Sequence, residues 1–297
     1  MISVFIDGRE GTTGLRIWQR LEGDPGVKII RADPRLRKNE NERRRRMNEA
    51  DCVFLCLPDA AAREAVTLVE NPNTVIIDAS TAHRTEPGWA YGFPELSPAH
   101  ERIIRISKRI TVPGCHASGF CALIYPLVHH GAIRQDARLT CVSLTGYSGG
   151  GKPMIAEYEG EKPPRGARPY SLSLDHKHLP EMKTICGLTT PPLFQPILAP
   201  VRQGILLSVP LFMDARHIYN ILSQHYAYGG NVKVMPFGVM PESGRMEMEA
   251  LNGTDRMELY VFGNRDKALL YAKFDNLGKG ASGAAVQCMN LKFRKNH

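Results

Sequence analysis

One of the seven cysteines stands in a setting unlike the others. In Thr111-Val112-Pro113-Gly114-Cys115-His116-Ala117-Ser118-Gly119, Cys115 follows a Pro-Gly turn and opens a stretch that reads as a helix. A thiol at a helix start faces unpaired backbone N–H groups and the positive end of the helix dipole. Both favour the thiolate, the nucleophilic form. The alternative is a small buried residue at a tight junction, which is how Cys52, Cys56, Cys121, Cys141, Cys186 and Cys288 read, in a reducing compartment. The count is odd and no pair has C-x-x-C spacing, so neither a disulfide framework nor a structural zinc site is expected.

A nucleophile of this kind needs a base. Asp175-His176-Lys177-His178-Leu179-Pro180-Glu181 places two imidazoles two residues apart. An extended segment, which Pro180 favours in the residues before it, would put His176 and His178 on one face. A histidine beside a thiol can take its proton, and a carboxylate can orient the imidazole. A zinc pair or two surface histidines are the competing readings. No companion cluster has ligand spacing, and no metal is expected.

A third constellation opens the chain. Residues 1–7 read as an apolar strand ending at Asp7, followed by Gly8-Arg9-Glu10-Gly11-Thr12-Thr13-Gly14 and then a helical pattern through Leu15, Ile17, Trp18 and Leu21. Strand, glycine turn and helix place backbone N–H groups and a helix N-terminus where a pyrophosphate can sit, with Thr12 and Thr13 as hydroxyl donors. The spacing is G-x-x-G-x-x-G rather than G-x-G-x-x-G, so the context on either side carries the reading of a dinucleotide site. Asp33, 19 residues past Gly14, suits the ribose hydroxyls of NAD, whereas Arg31, Arg35 and Arg37 around it suit the extra phosphate of NADP. The arginines favour NADP.

The elements that must hold these groups fall into two sets. Early on, short apolar strands (residues 1–7, 27–30, 52–57 and 74–77) alternate with helical stretches such as 60–69, the pattern of a parallel sheet covered on both faces. After about residue 115, β-rich stretches at 139–147, 204–212, 257–262 and 269–274 are separated by fewer helices, chiefly 116–130 and 214–228. That predicts a second, α+β domain with a largely antiparallel sheet, interrupted by a loop at 162–168. A length of 297 residues suits two domains at about 150 each. Hydrophobic residues at 43% and charged ones at 23% exclude a disordered or fibrous chain.

The net charge of +8, from 38 basic and 30 acidic residues, favours anionic partners. The run Arg43 to Arg46 is flanked by Glu40, Glu42 and Glu49 and has no interleaved aromatics, so it reads as a solvated helix face and no nucleic-acid partner is expected. The apolar run 53–57 is too short to span a bilayer, and the start MISVFIDG lacks a secretory pattern. No membrane association and a cytoplasmic location are expected.

Taken in order, the glycine turn, Pro-Gly-Cys-His-Ala-Ser-Gly, His-Lys-His-Leu-Pro-Glu and the C-terminal Asp275-Asn276-Leu277-Gly278-Lys279-Gly280-Ala281-Ser282-Gly283 resemble the N-acetyl-gamma-glutamyl-phosphate reductases over nearly the whole chain, in the compact subgroup of that family. The resemblance implies a Rossmann dinucleotide-binding domain with a glyceraldehyde-3-phosphate-dehydrogenase-like second domain. It implies residues 1–114 as an NADP domain to which a helix at about 281–297 returns, and 115–280 as the catalytic and oligomerisation domain. It implies Cys115 as nucleophile, His176 as acid/base with Glu181 in support, and Arg84, His178 and Lys152 on the substrate side. Ser80, Asn276 and Gly280 would lie near the nicotinamide. The loop Asp78-Ala79-Ser80-Thr81-Ala82-His83-Arg84 departs at three positions from the commoner Ser-Ala-Asp-Phe-Arg form.

The implied reaction is NADPH-dependent reduction of N-acetyl-L-glutamyl 5-phosphate to the semialdehyde through a cysteine thioester, in arginine biosynthesis, by a homodimer or tetramer. A sibling reductase acting on an aspartyl or carrier-bound acyl phosphate would share the same residues. A redox sensor that binds NADP without turnover is the non-enzymatic alternative.

Overall fold

The computed structural model describes residues 1–240 and 243–294; residues 295–297 of the expected C-terminal helix lie outside them. The chain divides into two compact units, one formed by Met1–Pro113 with the chain from Ala281 onward, the other by Gly114–Gly280.

The first unit runs β1 (Ile2–Asp7), α1 (Thr12–Leu21), β2 (Val27–Ile30), α2 (Glu40–Glu49), β3 (Cys52–Leu55), α3 (Asp59–Thr67), β4 (Val75–Asp78), β5 (Ala90–Tyr91), α4 (Pro98–Ile106) and β6 (Arg109–Thr111). Among the described residues the strands form a six-stranded sheet in the order β2-β1-β3-β4-β6-β5, parallel throughout. Side chains alternate across a strand, so β1 sends Val4 and Ile6 to one face and Phe5 to the other. Val4 and Ile6 join Ile17, Trp18, Leu21, Phe54 and Ile77, while Phe5 joins Met47, Val53, Leu55, Ala65 and Ile76. Both faces of the central strands are therefore covered, which is why β3 and most of β4 read as continuous apolar runs.

The arginine run differs from expectation at one residue. Arg44, Arg45 and Arg46 pair with glutamates on the outside of α2. Arg43 instead turns inward, with its side chain 11% exposed, and bonds Asp7 at 3.0 Å and Glu64 at 2.9 Å. Burial pushes the Asp7 carboxyl up from its ordinary value, with Arg43 opposing the shift.

The second unit contains α5 (Cys115–His129), β7 (Thr140–Gly146), α6 (Gly151–Glu159), β8 (Arg168–Pro169), α7 (Leu179–Ile185), β9 (Leu193–Ala199), β10 (Ile205–Leu211), α8 (Ala215–His225), β11 (Val232–Val234), β12 (Met257–Gly263) and β13 (Ala268–Phe274). Its sheet, in the order β11-β12-β13-β10-β7-β9-β8, is mixed. The pairs β7–β9 and β11–β12 are parallel and the rest antiparallel, in keeping with the expected largely antiparallel sheet. β9 was not legible because Pro191, Pro192 and Pro196 read as strand breakers.

Helix α5 carries Cys115 and packs on this sheet through small residues. A β-carbon on Gly119 would lie 3.0 Å from the Phe274 ring, so glycine lets the helix lie close to β13. After β13 the chain turns through Gly278–Ser282 and forms α9 (Gly283–Phe293) in the first unit, where Ala284, Ala285, Cys288 and Met289 join the α1 face of the core. No helix among the described residues is long and apolar enough to cross a membrane.

Candidate active site

Cys115 is the first residue of α5 and Gly114 is its N-cap. The thiol is half-buried; so, against expectation, is Cys56, whereas Cys52, Cys121, Cys141, Cys186 and Cys288 are buried. Burial pushes Cys52, Cys56 and Cys141 above the usual thiol range, as inert thiols require.

Two residues distant in sequence fix the Cys115 junction. Glu181, on the first turn of α7, accepts the Gly114 N–H at 2.8 Å. The carboxylate thus ties down the turn that presents the nucleophile, a contact the sequence did not indicate. Gly280, expected beside the cofactor, lies against the cysteine: a β-carbon on it would come 2.9 Å from the Cys115 β-carbon.

The histidine segment is not extended. Residues 175–178 turn into α7, where Pro180 occupies the first helical turn, a position that needs no N–H. His176 and His178 still come together, with ring centroids 4.7 Å apart, and the His178 N–H donates to His176 Nδ1 at 3.1 Å. In the neutral ring that places the proton on Nε2, so His176 is arranged as a hydrogen-bond donor. Acting as a base from this arrangement would require release of the His178 N–H.

Three groups not singled out from the sequence complete the cluster. His116 is buried with its ring 5.4 Å from that of His176 and 5.6 Å from that of His178. Its Nδ1 meets Ser143 Oγ at 2.8 Å and its Nε2 meets the Tyr170 hydroxyl at 2.8 Å. Burial, with charge on His176 and Lys177 adding to it, lowers His116 to about 3, so this imidazole stays neutral. Burial and then the charge of Cys115 push the Tyr170 phenol above its ordinary value. The link from Cys115 to Tyr170 runs through its sequence neighbour His116, and no local pattern around Tyr170 announces it.

The loop between Tyr170 and His176 is strained. Among the described residues, the non-glycine positions with positive φ are Ser171 at 53° and Leu174 at 60°. Such backbone persists only where the surroundings over-determine it.

Asn276 and Ser148 form a separate brace. The Asn276 amide donates to Ser148 Oγ at 3.1 Å and its oxygen accepts the Gly204 N–H at 2.8 Å, so its polar atoms hold the loop after β7. Lys152 is exposed on the first turn of α6.

In the first unit, the glycine turn is built for close approach. Gly8 has φ +83°, and a β-carbon there would lie 2.2 Å from the Cys56 carbonyl oxygen; one on Gly14 would lie 2.5 Å from the Gly8 carbonyl oxygen. Gly11 caps α1, and Thr12 and Thr13 begin it. Thr12 Oγ1 is buried without a hydrogen-bond partner among the described residues, an acceptor-seeking group at a helix N-terminus.

Beside the turn lies a cavity of about 450 Å³ lined by Gly8, Trp18, Arg31, Arg37 and Lys38 among others. Arg35 does not line it. It folds onto Asp33, with 3.1 Å between guanidinium and carboxylate, and its side chain is 90% exposed. Arg35 thus pairs with the acid that follows β2, and Arg31, Arg37 and Lys38 line the cavity, together with Arg9, Arg43, Asp7 and Glu10.

Ser80 and Arg84 are tied into the loop after β4. The Ser80 hydroxyl donates to Asp78 at 2.7 Å and accepts the Ala82 N–H at 3.1 Å. Arg84 donates to the carbonyls of Val112 at 2.9 Å and Ala79 at 3.3 Å, so it braces the strand end rather than presenting its whole fork to a ligand. His83 bonds Asp78 at 2.6 Å and stacks on Trp89, which accounts for histidine in this variant loop.

A sheet of Rossmann type with a phosphate-ready glycine turn, and a cysteine at a helix start among histidines, define a semialdehyde dehydrogenase. Residues 3–103 match the semialdehyde dehydrogenase NAD binding domain and residues 115–276 the semialdehyde dehydrogenase dimerisation domain. The fold is shared with aspartate semialdehyde dehydrogenase II from Vibrio cholerae, at TM-score 0.74 and 17% identity over the full length of both chains. It is also shared with aspartate semialdehyde dehydrogenase with NADP from Candida albicans, at TM-score 0.70 and 16% identity over 98% of each chain.

Among relatives, N-acetyl-gamma-glutamyl-phosphate reductase of Chelativorans sp. is 44% identical, covering 97% of each chain. N-acetyl-gamma-glutamyl-phosphate reductase 2 of Pseudomonas putida is 43% identical, covering 97% of this chain and 96% of its own. The chain belongs to the N-acetyl-gamma-glutamyl-phosphate reductase family.

Proposed function

We propose that this protein reduces N-acetyl-L-glutamyl 5-phosphate to N-acetyl-L-glutamate 5-semialdehyde, with NADPH as reductant and release of phosphate, in arginine biosynthesis. The observation that carries the reading is the half-buried Cys115 at the start of α5, followed by His116, whose ring lies 5.4 Å from that of His176, in a chain 44% identical to a reductase of that name.

The Cys115 thiolate adds to the acyl carbon and the carbonyl π pair moves to oxygen. The pair returns, and the bond to phosphate breaks with its electrons on the phosphate, which takes a proton from solvent. A thioester remains, and covalent capture splits one hard step into two. Bound NADPH supplies hydride for the thioester carbon. The oxyanion so formed closes to the aldehyde and expels the Cys115 thiolate. His176 offers its Nε2–H to charge developing around the sulfur, and Glu181 and Gly280 position the cysteine. His178 and Lys152 serve the substrate.

The glycine turn fits the pyrophosphate of the cofactor, because neither Gly8 nor Gly14 leaves room for a side chain and Thr12 has a hydroxyl to offer. We assign the extra phosphate of NADP to Arg31, Arg37 and Lys38, which line the adjoining cavity. On this reading residues 1–114 and the returning helix α9 hold NADP, and 115–280 perform the acyl chemistry. A match to a dimerisation domain supports a homo-oligomer, dimer or tetramer.

The reaction run in reverse tests the assignment. N-acetylglutamate semialdehyde, phosphate and NADP should give NADPH, with NAD and aspartate semialdehyde far poorer. Turnover restricted to another semialdehyde would replace the substrate, and NADP binding with no turnover of any semialdehyde would favour the sensor.

A further inference from the structure

We propose that Tyr170 is a catalytic residue whose hydroxyl donates a hydrogen bond to the oxyanion formed when an acyl group adds to Cys115, and that His116 and Ser143 position it by fixing one tautomer. The inference rests on the thioester reading above and deepens it.

Ser143 fixes the tautomer of His116. Its side chain is fully buried on β7, and its hydroxyl meets His116 Nδ1 at 2.8 Å as its one partner among the described residues. A buried hydroxyl proton must find an acceptor. If His116 carried its proton on Nδ1, the Ser143 proton would have none. The satisfied arrangement has Ser143 donating to Nδ1, which puts the imidazole proton on Nε2. His116 Nε2–H then donates to the Tyr170 oxygen at 2.8 Å. Tyr170 becomes an acceptor on that side, and its own proton is directed away from His116.

Two further observations fit a donor built for use. His116 is held neutral, so it does not change role across the working pH range, and a phenol raised above its ordinary value keeps its proton. The backbone also grips Tyr170 on both sides. Its N–H donates to the Pro196 carbonyl at 3.1 Å, and the strained residues Ser171 and Leu174 follow it. Its ring lies 5.8 Å from that of His176, its phenol feels the charge of Cys115, and it is only partly buried.

In the acylation step the sulfur–carbon bond forms and the carbonyl π pair becomes the oxyanion. Tyr170 donates a hydrogen bond to that oxygen without giving up its proton. The pair then returns and the leaving group departs with the electrons of its bond.

The test compares two reagents at Cys115, with the Cys115→Ser rate subtracted. Acetylation by p-nitrophenyl acetate passes through an oxyanion, whereas alkylation by iodoacetamide does not. Tyr170→Phe should slow acetylation by about 100-fold and alkylation by less than about threefold, as removal of one oxyanion donor does. Ser143→Ala, which frees His116 to change tautomer, should slow acetylation by roughly threefold to tenfold and leave alkylation unchanged. Equal loss of both rates in Tyr170→Phe, or acetylation within about threefold of wild type, would overturn the role of Tyr170. Wild-type acetylation in Ser143→Ala would overturn the positioning by His116. Neither rate needs cofactor or natural substrate, so failure of semialdehyde turnover would refute the substrate assignment alone.

Discussion

The carboxylate of Glu181 holds the backbone N–H of Gly114 at 2.8 Å, one residue before the nucleophile and 67 residues before itself in sequence. It therefore acts on the turn that aims Cys115. Loss of a buried hydrogen bond to a charged group costs about 1.5–3 kcal/mol. Glu181→Ala should lower kcat by roughly 10- to 100-fold with KM little changed, while Glu181→Gln, which still offers an oxygen, should keep most activity. Steady-state kinetics on the two variants check this, and equal losses would place the role of Glu181 in its charge.

Gly280→Ala probes the other side of the same residue. A new β-carbon 2.9 Å from that of Cys115 must displace one of the two, at a cost of about 1–3 kcal/mol. Both turnover and the alkylation rate of Cys115 should change, since the thiol itself moves. An altered KM for NADP with an unchanged alkylation rate would instead show that Gly280 serves the cofactor.

His176 can be separated into donor and proton shuttle. Glutamine places an N–H near the Nε2 position but cannot exchange a proton near neutral pH. As a donor, His176→Gln should keep kcat within about tenfold of wild type while His176→Ala falls about 100-fold or more. If His176 shuttles protons, both variants should fall together.

His116 links the site to stability. Its folded pKa is depressed to about 3 from an ordinary 6.5, so between these values the unfolded chain binds a proton that the folded chain refuses. The contribution is fully present above about pH 6.5 and is lost as pH falls toward about 3. At about pH 5 some 2 kcal/mol should be gone, by the conversion of one pKa unit to about 1.4 kcal/mol. Urea midpoints measured from about pH 7 down to 5 should fall more steeply in wild type than in His116→Gln. Parallel curves would contradict it.

What the sequence disclosed was local. The strand, glycine turn and helix at residues 1–21, and the helix beginning at Cys115, are each specified by neighbours, through apolar periodicity and the conformations open to glycine and proline. Pro180 illustrates the limit, because the same residue that favours extended backbone before it also suits the first turn of a helix. The prolines of β9 hid a strand whose neighbours supply its pairing. Arg35 pairs with Asp33 and does not line the cavity beside the glycine turn, whereas Arg37 and Lys38 do. The partners of His116 are 27 and 54 residues away, at Ser143 and Tyr170, so only the folded chain assembles that relay.

A thioester on Cys115 can be read directly by intact-protein mass spectrometry. The protein would be mixed with N-acetylglutamate semialdehyde and NADP without phosphate, then with phosphate. The account predicts an added N-acetylglutamyl mass on wild type that phosphate removes, absent from Cys115→Ser. No adduct on wild type, together with NADPH formation that persists in Cys115→Ser, would contradict it.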